Sequence, residues 1–205
     1  METSFNPSAA GRQAYLNVVA AYAMDMAGYE HNPRTAYVSA DIPFRALRSF
    51  HGVGVNFMND QIGLFTHTKL NLQYAFQMPL FKGHLRLGAE VGFISEKFDG
   101  SQVDLGDSSD PAFSTADLTG SSIDLGAGLF YTHGQWYGGA SVHHLNSPLV
   151  SLGDNNELKI LPTYYFTGGG NISFRNPFIT LKPSLLFRTD GTGWRGDITG
   201  RLVYN

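Results

Sequence analysis

The sequence predicts an all-β protein, an antiparallel up-and-down transmembrane β-barrel of the outer-membrane type with about ten strands. Three observations predict it: long stretches of alternating apolar and polar residues, a charged fraction of only 15%, and connections of unequal length. Side chains point to opposite faces of a strand with period two, so each alternating stretch has one apolar and one polar face. We expect the strands at residues 13–23, 34–42, 51–59, 63–79, 83–97, 120–133, 135–145, 160–174, 177–189 and 193–204.

The alternation is clearest in the fourth, fifth, ninth and tenth of these strands. In the fifth, Leu85, Leu87, Val91 and Phe93 alternate with glycine and polar residues over residues 85–96. A strand of about twelve residues spans about 40 Å, whereas strands of soluble domains usually have five or six residues. The alternative is a soluble β-sandwich or lipocalin-like barrel, whose strands also alternate. Strand length favours the membrane.

Composition supports the same conclusion. The 15% charged fraction is low against about 25% in soluble domains, yet no apolar run approaches the roughly 18 residues of a transmembrane helix. The net charge of −3 and the scattered basic residues argue against nucleic-acid binding. The chain has no cysteine, which excludes disulfides and thiolate metal sites. Many of its 24 glycines lie inside the alternating stretches, where they permit curvature or close backbone approach.

The connections differ in length at the two ends of the predicted strands. Long connections at 24–33, 98–119 and 146–159 follow odd-numbered strands, and short ones follow even-numbered strands. Outer-membrane barrels have short periplasmic turns and longer external loops, so the N-terminus is predicted to be periplasmic. The exception is residues 43–50, a longer periplasmic segment in which Arg45 and Arg48 are candidate partner contacts.

Residues 1–205 are expected to form a single barrel domain. The chain ends on Tyr204 and Asn205, without the aromatic spacing typical of a final barrel strand. We therefore expect the domain to be incomplete at the C-terminus.

The sequence contains no Walker A loop, no His-Glu-x-x-His and no Gly-x-Ser-x-Gly, so we predict no enzyme, no cofactor and no metal site. Two alternatives remain open: a Ser141–His143 pair of a lipid hydrolase, and calcium bound by the acidic residues of 98–119 and 154–157. Charged residues on the polar face either line a pore or pair within a filled lumen. They are Lys69, Arg86, Glu90, Glu96, Asp124, Lys182, Arg188, Arg195, Asp197 and Arg201.

The stretch Phe5-Asn6-Pro7-Ser8-Ala9-Ala10-Gly11 resembles the opening motif of the PorP/SprF family, outer-membrane proteins of the type IX secretion system. Further short motifs of that family follow in order along the chain. They include Pro33-x-Thr35, Asn59-Asp60-x-x-Gly63, Leu145-x-x-Pro148 and Leu181-x-Pro183-Ser184. We take Phe5, Asn6, Pro7, Gly11, Pro33, Thr35, Pro148 and Pro183 as family-motif residues with a structural or partner-docking role.

The resemblance implies a place in the outer membrane of a Gram-negative bacterium. It also implies a role in export or surface anchoring of secreted proteins, including adhesins of gliding motility. The implied partners are other type IX secretion components, secreted cargo proteins and outer-membrane lipid, with no nucleic acid and no small-molecule substrate. The alternative function is a solute-conducting outer-membrane porin or transporter.

Overall fold

The structure is a computed structural model that describes residues 2–29, 32–100, 117–153, 156–174 and 178–204. Two short 3-10 turns, η1 (Glu2–Ser4) and η2 (Pro7–Ala9), precede the strands. The strands are β1 (Asn17–Met24), β2 (Arg34–Ala46), β3 (Ser49–Ile62), β4 (Phe65–Leu80), β5 (Gly83–Phe98), β6 (Leu118–His133), β7 (Trp136–His143), β8 (Leu149–Leu152), β9 (Asn156–Lys159), β10 (Thr163–Gly170), β11 (Ile172–Ser173), β12 (Ile179–Thr189) and β13 (Trp194–Tyr204). Within the described residues, no helix has the length and apolar character needed to cross a membrane.

Eleven of these strands form one antiparallel sheet, a meander in the order β1 to β7, β10, β12 and β13, with β11 also on β12. Both β10 and β11 pair with the side of β12 that β13 leaves free, and their registers are continuous. They are one strand interrupted opposite Pro183, which has no backbone N–H to donate to the ladder. If β10 and β11 are counted as one strand, the sheet has ten strands, as predicted.

The sheet does not close in the structure. Its end strands, β1 and β13, do not pair with each other, so the predicted barrel is not shown and the observed fold is an open antiparallel sheet. Asn17 of β1 and Arg201 of β13 nevertheless line the same cavity of about 570 Å³. The sheet therefore curls until both of its ends border one space.

Two predicted connections are wrong in detail. Residues 146–159 were expected to be a loop, but they contain the β8–β9 hairpin, whose Val150 is fully buried against the polar face near Gly120. The segment 43–50 was expected to be moderately long. Instead β2 and β3 extend into it and leave a two-residue turn, Leu47–Arg48, with φ of 48° and 64°. Positive φ at both central residues is the geometry of tight hairpin turns that match the twist of the strands.

The sheet is polar inside and apolar outside. Its buried face, called here the polar face, carries Asn71, Gln73, Arg86 and Glu90, each at most 5% exposed. The opposite, apolar face exposes alternating large side chains, such as Leu72 at 57%. Of the described residues, only six hydrophobic residues are buried, against sixteen polar or charged ones. Soluble proteins show the reverse, and a contiguous exposed apolar surface marks contact with a membrane or a partner.

Candidate functional site

The N-terminal segment (residues 2–12) lies on the polar face. Asn6 caps η2, because its Oδ1 accepts hydrogen bonds from the Ser8 backbone N–H at 3.0 Å and from the Ser8 hydroxyl at 2.6 Å. Pro7 follows at the first position of the turn, where its fixed φ suits the geometry and its missing N–H is not needed. The sequence Asn-Pro-Ser thus forms a compact turn whose own polar atoms are paired, and all three residues are buried.

Side-chain amides of the sheet hold the start of this segment. The carbonyl oxygen of Thr3 accepts hydrogen bonds from the amide nitrogens of Gln73 at 2.8 Å and Asn56 at 3.0 Å. In the opposite sense, the Asn6 side-chain amide donates to the backbone carbonyl of Leu129 at 3.1 Å. Strands β3, β4 and β6 therefore hold residues 3–6 of the N-terminal segment through side-chain hydrogen bonds. Buried backbone carbonyls need such partners, since an unpaired one costs about as much as a lost hydrogen bond.

Arg86 of β5 anchors the middle of the segment. Its Nε donates to the Ser8 carbonyl at 2.9 Å and its Nη2 to the Ala10 carbonyl at 2.5 Å, while Nη1 donates to Gln77 Oε1 at 2.8 Å. The residue is only 4% exposed. A guanidinium group suits this place because its planar fork presents several donors in fixed directions.

Three glycines of the sheet make room for the segment. Gly52 of β3, Gly88 of β5 and Gly128 of β6 lie beneath it. A β-carbon added there would lie 1.9 Å from Ala10 O, 2.2 Å from Ser8 N and 2.2 Å from Asn6 Oδ1, respectively. Real β-carbons do not approach other atoms so closely, so the backbone of the segment lies against the backbone of the sheet. Close backbone approach at strand glycines is predictable from the sequence, whereas the segment that approaches them is not.

A charged network lies beside the segment. Glu90 is 4% exposed, and it contacts His143 Nδ1 at 2.5 Å and accepts a hydrogen bond from Gln73 Nε2 at 2.9 Å. Asp124, 1% exposed, pairs with Lys69 at 3.0 Å and with His144 at 3.0 Å. Lys69, Glu90 and Asp124 of the inward charged set therefore have partners on this part of the polar face.

Four of the family-motif residues come together in the N-terminal segment. Besides Asn6 and Pro7, the ring of Phe5 stacks on Tyr165 with centroids 6.2 Å apart. Gly11 has φ of +64° and donates its N–H to Asp41 Oδ2 at 2.9 Å. The backbone thus turns at Gly11, in a conformation that favours glycine.

The other four motif residues are dispersed. The Thr35 hydroxyl donates to Asp60 across the β2–β3 pair at 2.6 Å, next to Pro33, whose carbonyl accepts from Asp25 N at 3.0 Å. Pro148 precedes the β8–β9 hairpin, and Pro183 lies opposite the interruption described above. Each of these residues has a local backbone or cross-strand role, and they do not form a common surface.

Arg45 and Arg48 lie at the β2–β3 turn. Both residues are exposed, and the Arg45 guanidinium lies 5.5 Å from the ring centroid of Phe50. That distance allows a weak cation–π contact. Their role as partner contacts stays a prediction.

The geometry does not couple Ser141 and His143 as a nucleophile and base. The Ser141 hydroxyl donates to the Phe5 carbonyl, and the His143 ring contacts Glu90 instead. Across the described ranges, no group of three or more His, Cys, Asp or Glu side chains could hold a metal ion. The calcium alternative falls largely on residues 101–116 and 154–155, which lie outside the described residues.

The sequence profile of the family described as type IX secretion system membrane protein PorP/SprF matches residues 2–205. The chain belongs to this family. No curated protein and no solved structure gives a significant match. As a PorP/SprF protein, the chain is a membrane component of the type IX secretion system, which implies interaction with other components of that system. The family is one of secretion components, and the resemblance read from residues 5–11 is confirmed.

Proposed function

We propose that this PorP/SprF protein is an outer-membrane β-barrel component of the type IX secretion system, with residues 1–205 as a single barrel domain. It aids export or surface anchoring of secreted proteins, including adhesins of gliding motility, by binding secretion components and cargo. The observation that carries the proposal is the reversed polarity of the sheet, in a chain matched by this family over residues 2–205. A buried polar face and an exposed apolar face suit strands surrounded by lipid.

The ends of the strands support a periplasmic N-terminus. The start of β1, the turns Leu47–Arg48 and Phe81–Lys82 and the turn at Gly134 lie at one end of the meander. The strand ends joined by the longer connections, from β1 to β2, from β5 to β6 and from β7 to β10, lie at the other end, together with the shorter turns at 63–64 and 190–193. Because outer-membrane barrels keep their short turns in the periplasm, we assign the short-turn end to the periplasm.

We propose that two exposed apolar residues at the short-turn end form a docking surface for a protein partner. Leu47 and Phe81 are each 93% exposed, with φ of 48° and 52°. The left-handed region is unfavourable for large side chains, and asparagine or glycine is the usual choice in such turns. We infer that Leu47 and Phe81 contact a protein partner at this end of the meander, where two such turns occur. Arg45 and Arg48 add positive charge beside Leu47.

Replacing Leu47 and Phe81 by asparagine is therefore expected to lower recovery of type IX components with the tagged protein and to lower secretion of cargo. Folding should be unchanged or slightly improved, since asparagine tolerates positive φ. Co-purification and the amount of cargo in the culture medium measure the effect in cells that carry only the variant. Met26→Asn is the matched control: Met26 has φ of 50° and is 71% exposed, but lies at the opposite end. Equal recovery of type IX components with the double variant and with the control would show that Leu47 and Phe81 do not form a docking surface.

The alternative porin makes a different prediction for conductance. The N-terminal segment covers the polar face between β3 and β7, where a solute would have to pass. We expect the purified protein to give no steady conductance steps in a planar bilayer. Stable single-channel steps would favour the porin.

A further inference from the structure

A cavity of about 570 Å³ separates the N-terminal segment from β12 and β13. Cavities of this volume are typical of small-ligand sites. Its lining is polar and includes two cationic and two hydroxyl side chains from neighbouring strands. These are Lys182, Ser184, Thr199 and Arg201.

The register places these four side chains in a compact square. Lys182 lies directly opposite Arg201, and Ser184 lies directly opposite Thr199, two residues along each strand. Residues two apart on a strand share a face, so all four side chains lie on the side that lines the cavity. Like charges directly opposite each other destabilise a sheet. Lys182 is half-buried and Arg201 is exposed, so water screens part of this repulsion, and an anion between the two cations would remove the rest.

No described side chain supplies that anion. Lys182 and Arg201 make no ion pair or hydrogen bond with any described residue. The two acids that line the cavity are engaged elsewhere: Glu2 pairs with Arg12, and Asp41 accepts hydrogen bonds from Gly11 N and Asn17 Nδ2. The contrast with Lys69 is clear, since that lysine of the polar face pairs with Asp124 at 3.0 Å.

We propose that this cavity is a binding site for a phosphoryl group, held by Lys182 and Arg201 with hydroxyl donors from Ser184 and Thr199. A phosphomonoester or inorganic phosphate carries about −1.5 to −2 charges at pH 7, which balances the two cations, whereas a single carboxylate leaves one cation unbalanced. Guanidinium and ammonium groups donate strong, charge-assisted hydrogen bonds to phosphate oxygens. The phosphoryl group comes either as free phosphate or on a lipid headgroup. The site is independent of the partner contacts proposed above.

Isothermal titration of the full chain in detergent with inorganic phosphate tests the site. We expect saturable binding that is weakened about tenfold or more in Lys182→Met and in Arg201→Met, since each variant removes a charged hydrogen-bond donor. Without phosphate, each variant should unfold at the same temperature as the unsubstituted protein or higher, because the substitution removes a repulsion. That result separates lost binding from lost folding.

The matched control is Arg195→Met, which changes a cation of the same strand that pairs with Asp197 at 3.1 Å and does not line this cavity. It should bind phosphate as tightly as the unsubstituted protein. Titration with dihexanoyl phosphatidic acid distinguishes the sources: tighter binding than inorganic phosphate assigns a lipid headgroup, and weaker binding assigns the free ion. An absence of phosphate binding beyond the effect of sodium chloride at equal ionic strength would overturn the proposal, as would equal binding by all variants.

Discussion

Replacing Gly88 by valine is expected to displace the N-terminal segment from the polar face of the sheet. Any β-carbon at residue 88 would lie 2.2 Å from Ser8 N and 2.4 Å from Ser8 Cα, and both are backbone atoms that cannot rotate away. The segment must move, and it then loses the hydrogen bonds that Arg86 donates to it. Overpacking and lost hydrogen bonds together suggest a destabilisation of about 3 kcal/mol or more. Urea unfolding in detergent measures this loss.

Displacement can be followed directly with an introduced thiol, because the chain contains no cysteine. Ser8 is fully buried, so the thiol of Ser8→Cys should react slowly with a maleimide in the otherwise unchanged protein. It should react rapidly in the variant that carries both Ser8→Cys and Gly88→Val. Gly196→Val is the matched control, since it also adds valine to a strand but its β-carbon meets nothing within 4 Å. Slow labelling and normal stability in Gly88→Val would show that the segment does not lie on the sheet as described.

Replacing Arg86 by leucine is expected to destabilise the protein by about 3–5 kcal/mol. Leucine leaves the buried carbonyls of Ser8 and Ala10 without donors and removes the partner of Gln77. Breaking a buried, charge-assisted network costs more than the same change at the surface. The free energy of unfolding in urea measures this loss. Arg86→Lys should have a stability between those of the unsubstituted protein and Arg86→Leu, because an ammonium group cannot reproduce the planar set of donors of a guanidinium group.

Arg195→Leu serves as the surface comparison for this substitution. The Arg195 side chain is 66% exposed, and its pair with Asp197 lies in solvent. Exposed ion pairs contribute about 0–1 kcal/mol, so the change in unfolding free energy should be small. Similar losses for Arg86→Leu and Arg195→Leu would contradict the anchoring role of Arg86.

The strands could be predicted from the sequence because each has a consistent face. In β5 the odd residues from Leu85 to Phe93 are mostly exposed and the even ones from Arg86 to Glu96 are mostly buried, as the period-two pattern requires. Alternation gives the two faces of a strand but not which neighbour covers each face. The buried positions of Arg86, Glu90 and Asp124 were predicted, whereas their partners were not.

The elements that could not be predicted from the sequence show no regular alternation of apolar and polar residues. The N-terminal segment is too short and irregular for periodicity, and its position depends on glycines far along the chain, such as Gly88 and Gly128. The hairpin of β8 and β9 has four residues in each strand, and β9 (Asn-Glu-Leu-Lys) is exposed throughout and shows no alternation of burial. β1 begins at Asn17, opposite Asp41, rather than at residue 13, and residues 13–16 do not pair with β2.

The most direct test of the proposed role is purification of the tagged full-length protein from gently solubilised outer membranes, with co-purifying proteins identified by mass spectrometry. We expect type IX secretion components or their cargo, enriched over a matched purification of an unrelated outer-membrane protein. Their recovery should fall with Leu47→Asn and Phe81→Asn together. Recovery of the protein alone, from membranes in which the secretion system is present, would contradict the account.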